Sequence, residues 1–96
     1  MTPLTFSVES RGDLAGIFDY GVEHFGLAAA EAYLRRFDAA FHLIRAHPLS
    51  GALHDSVRPP IHSLRCGRHR VYYDVFKDRA VVRRVLHQAM AVELQL

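Results

Sequence analysis

A chain of 96 residues, half of them hydrophobic and 23% charged, holds enough interior for one core and not for two, so a single domain over residues 1–96 is expected. Its longest apolar stretch, Leu27 to Ile44, is broken by Glu31, Arg35, Arg36 and Asp38 and is excluded as a membrane span. No signal-like segment opens the sequence, and the lone Cys66 excludes an internal disulfide, which together point to a reducing cytoplasm. Net charge is only +2 with histidine neutral, which does not by itself identify a nucleic-acid binder.

In chain order, Leu4-Thr5-Phe6-Ser7-Val8 alternates apolar and polar residues, as a half-buried strand does. Ser10 followed by Asp13 approximates a capping box and sets the start of a helix near Arg11. Leu14, Ile17, Phe18, Gly21 and Phe25 then recur at helical spacing, and Gly26 is the natural terminator. Gly16 and Gly21 weaken this helix by up to about 1 kcal/mol each relative to Ala while leaving room for another element to approach. A second helix runs from Ala28 to about Ala46, with Ala30, Tyr33, Leu34, Phe37, Ala40, Phe41 and Ile44 on one stripe. Pro48 ends it. With one residue or so between them, the helices must form an antiparallel hairpin.

His47 to Pro60 reads as an ordered loop punctuated by Pro48, Gly51, Pro59 and Pro60. Three β-rich segments follow: Ile61–Cys66, His69–Phe76 and Ala80–His87. Gly67-Arg68 suits a type II′ hairpin turn, and the short polar break Lys77-Asp78-Arg79 returns the third strand antiparallel. Val71, Tyr73 and Val75 share one face of the middle strand, and Arg70, Tyr72 and Asp74 the other. The tail from Ala89 to Leu96 alternates again, through Met90, Val92, Leu94 and Leu96, as a short strand or docked end would.

The expected fold is therefore α+β, in the order β-α-α-β-β-β. A helical hairpin packs on one face of a small, mainly antiparallel sheet, with Phe18, Phe37, Phe41, Val71, Tyr73 and Val75 in one core. The opposite sheet face is left free and rich in arginine. Eleven of the twelve cations are Arg, and seven of them (Arg58, Arg65, Arg68, Arg70, Arg79, Arg83 and Arg84) lie in the second half. Guanidinium forks suit carboxylates or phosphates, so this half is expected to meet something acidic, against the alternative of a merely solvated face.

Few chemistries find a motif. No histidine pair has i,i+4 spacing and no thiolate cluster exists, so no metal is expected. There is neither a GxSxG elbow nor a Gly-rich phosphate loop, and no cofactor is called for. Acid–base work on a phosphodiester has the right residue types in His87, Arg65, Arg70 and Arg83, but His87 lacks an evident second acid–base partner.

Three stretches carry a family resemblance: Gly12-Asp13-Leu14-Ala15-Gly16-Ile17-Phe18-Asp19-Tyr20; Ala46-His47-Pro48-Leu49-Ser50-Gly51; and the run from Asp55-Ser56-Val57-Arg58-Pro59 through Leu64–Tyr73 to Val85-Leu86-His87-Gln88-Ala89-Met90. With the element order, they resemble the RelE/ParE toxins of bacterial type II toxin–antitoxin modules, in the ParE branch, over nearly the whole chain. The resemblance implies a non-enzymatic toxin that inhibits DNA gyrase by surface binding. It also implies neutralisation by a ParD-like antitoxin in a toxin–antitoxin hetero-oligomer. Contact residues for target or antitoxin would be Arg58, Arg65, Arg68, Arg70, Arg83, His87 and Met90. The alternatives are a ribosome-dependent mRNA endoribonuclease of the RelE kind, using His87 with Arg65 and Arg83, or an inactive toxin relative. Gln88 after His87 and the near absence of Lys depart from the RNase branch. Ala89 and Ala91 depart from the usual ParE ending, where Arg and an acidic residue are common.

Overall fold

Two helices, α1 (Val8–Phe25) and α2 (Leu27–Ala46), form the hairpin in a computed structural model of the protein, which describes residues 1–90 and 95–96. A single residue reverses the chain between them. Gly26 adopts φ 90°, a conformation open to glycine and strained for other residues. Its N–H closes α1 on the Val22 carbonyl at 3.0 Å, and its carbonyl receives the Ala30 N–H at 3.1 Å. A Cβ at Gly21 would lie 3.1 Å from that of Ala30, so the helices approach closely there; Gly16 makes no such approach.

The start of α1 differs from the sequence expectation. Ser7, not Ser10, is the N-cap: its hydroxyl oxygen accepts the Ser10 N–H at 3.0 Å and its O–H donates to the Arg83 carbonyl at 2.7 Å. Ser10 lies buried in the first turn and donates to the Ser7 carbonyl at 2.9 Å. Either serine satisfies the local capping rule. Only Ser7, at the end of the first strand, also reaches a carbonyl from a distant part of the chain. Val8 is consequently an exposed helical residue rather than the last of a strand. Phe25 is 71% exposed, and Phe18 is half-buried outside the main cluster, so neither belongs to the core as expected.

The sheet comprises β1 (Leu4–Phe6), β2 (Ala52–His54), β3 (Ile61–Cys66), β4 (His69–Val75) and β5 (Ala80–His87), in the order β1-β5-β4-β3-β2. β1 runs parallel to β5 and the remaining pairs are antiparallel. β2 and a 3-10 turn at Pro48–Ser50 occupy the connection expected to be loop. Ala52-Leu53-His54 carries no alternation to announce a strand, and its pairing with β3 makes it one. Gly67 has φ 59° whereas Arg68 does not have positive φ, which fits type II′ and not type I′ for the β3–β4 turn.

Phe37, Phe41 and Ile44 of α2 meet Val71, Tyr73, Val82 and Val85 of the sheet in the core, with Val75 packed at its margin. A register irregularity between Tyr72 and Tyr73 lets Val82 and Val85, three residues apart, both face inward. The buried Tyr73 hydroxyl donates to the Pro48 carbonyl at 2.7 Å and accepts the Gly51 N–H at 3.1 Å, pinning the chain after α2. Burial pushes the phenol's pKa up, and the Gly51 bond partly opposes this.

The opposite face is not open and arginine-rich throughout. Ile61, Tyr72 and Leu86 are buried on it beneath Val57, which the 55–60 loop carries over the strands. Strand alternation cannot report such a cover, because the covering loop has no periodicity of its own. The tail from Ala89 to Leu96, expected as a short strand or docked end, falls largely outside the described residues.

Candidate functional site

β1 is too short to cover β5. Its pairing stops at Phe6↔Val82, and among the described residues the β5 edge beyond that point faces α1 and pairs with no further strand. Side chains close part of it. The Ser7 hydroxyl takes the Arg83 carbonyl, and Asp13 of α1 accepts the Val85 N–H at 2.9 Å. The same carboxylate receives Arg84 through two parallel bonds, Nε at 2.8 Å and Nη2 at 3.0 Å. This bonding raises the Arg84 pKa further, so that charge is permanent. The third Arg84 nitrogen, Nη1, donates to the Gln95 carbonyl at 2.9 Å.

Beside this edge lies a groove of about 1060 Å³, walled by α1, the first half of α2 and the end of β5. Tyr20, Phe25 and Met90 line it while remaining largely exposed. Arg36, Arg68, His69 and His87 gather at its end near the β3–β4 turn. Arg36 lies over the Tyr33 ring, 5.5 Å from its centre. Asp13 is already committed to Arg84 and Val85, and among the described residues neither Arg36 nor Arg68 is paired with a carboxylate. The groove is thus apolar along its walls and cationic at one end.

Tyr33 fastens α2 to that turn. Its hydroxyl accepts the Arg68 N–H at 3.0 Å and is hydrogen-bonded to His69 Nδ1 at 2.6 Å. The His69 ring meets His87 edge-on, with centres 5.4 Å apart. Burial, followed by repulsion from His87, holds His69 below the ordinary histidine pKa. The Ala89 N–H donates to His87 Nδ1 at 3.1 Å, which puts the proton of the neutral His87 ring on Nε2.

The candidate contact residues fall into two groups. Arg68, His87 and Met90 border the groove. Arg65, Arg70 and Arg83 project from the opposite sheet face, and Arg58 lies in the loop over it, bonded to the Asp55 carbonyl. Arg70 donates to Ser63 Oγ at 3.2 Å, and Arg83 is paired with Asp74 at 2.8 Å. Arg65 donates to Gln88 Oε1 at 2.9 Å, beside His87, but Arg83 is four residues from His87 along β5, roughly 13 Å of extended chain. His87, Arg65 and Arg83 are not gathered around one point. Sequence reasoning missed Asp13, Tyr33, Arg36 and His69. For Arg36 a signal existed, in its i,i+3 placement from Tyr33 on α2. For Asp13 none did, because its partners are 71 and 72 residues away.

Comparison with known proteins agrees with this architecture. Residues 4–92 match the family described as the ParE toxin of type II toxin-antitoxin system, parDE. The chain is 34% identical over 91 residues to Toxin ParE1 of Mycobacterium tuberculosis, covering 94% of this chain and 93% of that protein. It is 31% identical over 96 residues to Toxin ParE1 of Caulobacter vibrioides, covering 100% and 99% respectively. A solved structure described as the chromosomal ParDE TA system from P. aeruginosa shares the fold with a TM-score of 0.78 at 18% identity, over 91% of this chain and 96% of that one. Family match, whole-length similarity and shared fold coincide: the chain belongs to the ParE toxins of type II toxin–antitoxin systems.

Proposed function

We propose that this ParE-family toxin inhibits DNA gyrase by surface binding, without chemistry of its own, and that a ParD-like antitoxin neutralises it by laying an amphipathic acidic segment in the groove beside β5. The antitoxin part is carried by one observation: apolar walls formed by Tyr20, Phe25 and Met90 end at Arg36 and Arg68, which have no carboxylate partner among the described residues. A segment with apolar anchors and acidic groups at one end complements that groove in both shape and charge. The gyrase target follows from family membership, since ParE resemblance implies it. The non-enzymatic reading is supported by His87, whose Nδ1 is occupied by a backbone N–H and which stands well apart from the committed Arg83.

Two assays test the reading. Purified toxin should inhibit supercoiling of relaxed plasmid by gyrase, and stoichiometric antitoxin should restore it. Unimpaired supercoiling, together with cleavage of ribosome-bound mRNA that is lost in His87→Ala, would replace gyrase inhibition with RNase activity. In the second assay, Tyr20→Ala combined with Phe25→Ala should weaken antitoxin binding by at least about tenfold, as expected when aromatic anchors are truncated. Unchanged affinity would remove the antitoxin from this groove.

A further inference from the structure

On the sheet face away from the helices, β3 and β4 set two arginines directly opposite each other. Arg65 and Arg70 are cross-strand partners one step from the β3–β4 turn. In a two-residue hairpin the residues flanking the loop, here Cys66 and His69, form the hydrogen-bonded pair. Arg65 and Arg70 are therefore the next, non-hydrogen-bonded pair, whose Cα atoms lie only about 4.5 Å apart and whose side chains are closest. Like charges so placed destabilise a sheet. A carboxylate would normally relieve them, as Asp74 does for Arg83 and Asp13 for Arg84.

Here no such relief is present among the described residues. Each guanidinium is bonded only to neutral oxygens: Arg65 to the Gly67 carbonyl at 3.2 Å and Gln88 Oε1 at 2.9 Å, Arg70 to Ser63 Oγ at 3.2 Å. These bonds hold the two forks in place without neutralising them. Counting five N–H donors per guanidinium, three on Arg65 and four on Arg70 are left without a hydrogen-bond partner among the described residues. Ser63 is itself fixed by His54 Nε2 at 2.6 Å, so the base of the site is rigid.

We infer that Arg65 and Arg70 form an anion site for the phosphodiester backbone of nucleic acid, on the face opposite the proposed antitoxin groove. Phosphate is favoured over a protein carboxylate by the geometry. A carboxylate and a phosphodiester each present two free acceptor oxygens, but a nucleic-acid backbone repeats its charge at every nucleotide, so neighbouring phosphates can meet the two adjacent forks where a single carboxylate would have to serve both. Arg58 lies in the loop that covers the same face, next to Val57. With both arginines on one face and the groove on the other, nucleic acid and antitoxin bind without competing for these residues. The site stands whether or not gyrase is the target, because it is read on free nucleic acid.

The test is fluorescence anisotropy of the full-length chain with a labelled 30-nucleotide DNA, single-stranded and duplex, titrated between 50 and 200 mM salt. Arg65→Gln and Arg70→Gln should each lower the salt slope by about one phosphate contact. At a slope of about 0.9 per contact this is roughly an eightfold loss of affinity at 0.1 M salt. Arg65→Lys should keep most of the slope, and Arg79→Gln, far from the pair at the β4–β5 turn, should keep all of it. Matching thermal midpoints and unchanged antitoxin affinity distinguish a lost phosphate contact from a misfolded sheet. Absence of DNA binding at 50 mM salt would overturn the proposal. So would slopes unchanged in both Gln variants, or an effect confined to antitoxin affinity, which would make the pair a carboxylate reader.

Discussion

Replacing Asp13 by Ala removes one carboxylate and three hydrogen bonds at once: two from Arg84 and one from the Val85 N–H of β5. The Asp13 and Arg84 side chains are only 16% and 21% exposed, so water repairs the loss poorly. A hydrogen bond to a charged group contributes about 1.5–3 kcal/mol. The three bonds share one acceptor group and are not additive, and Arg84 can swing partly into solvent. The expected loss is therefore about 2–4 kcal/mol rather than the full sum. For a domain of this size each kcal/mol lowers the melting temperature by roughly 4–8 °C, so a fall of at least about 10 °C is expected. Asp13→Asn preserves shape and an acceptor for Val85 but turns an amide towards Arg84, and it should lie between the parent and Asp13→Ala. Urea unfolding followed by circular dichroism measures all three. If Asp13→Ala stays within about 0.5 kcal/mol of the parent, in the range of an inert surface change, the claim that α1 closes the sheet edge through Asp13 is refuted.

Gly67→Ala should destabilise by about 1–3 kcal/mol, because φ is 59° and the new Cβ would lie 2.6 Å from the Tyr33 hydroxyl. Combining it with Tyr33→Ala should cost less than the two single changes added together, and strict additivity in thermal melts would show that no clash exists. The pKa of His69 is lowered from 6.5, chiefly by burial, so folding favours its neutral form. Its contribution is fully present above about pH 6.5 and is lost as pH falls through the lower folded-state value. His69→Asn, which can still accept from Tyr33, should therefore show a shallower loss of stability on acidification; superimposable pH profiles would contradict this.

The local elements follow from the sequence for plain reasons. The α2 stripe from Ala30 to Ile44 repeats at helical spacing, Gly26 and Pro48 bound the helices, and Gly67 marks the hairpin turn; each signal is confined to a few neighbouring residues. The family was legible too, through runs near the start of α1, the end of α2 and the close of β5. Position in space was decided elsewhere. Choosing Ser7 over Ser10 as the cap depended on a carbonyl 76 residues away, and turning Ala52–His54 into a strand depended on β3. Phe25 has the spacing of a core residue but sits at the last turn of α1, beyond the reach of the sheet, and becomes the rim of the groove. The arginines show the division most clearly. Their number is a property of the sequence, but whether each is free or spent depends on partners across the fold: Asp13 takes Arg84, Asp74 takes Arg83, and Arg65 and Arg70 are left facing each other by the register of one hairpin. Charge is carried by single residues, whereas its neutralisation is a property of pairs that only tertiary packing brings within bonding distance.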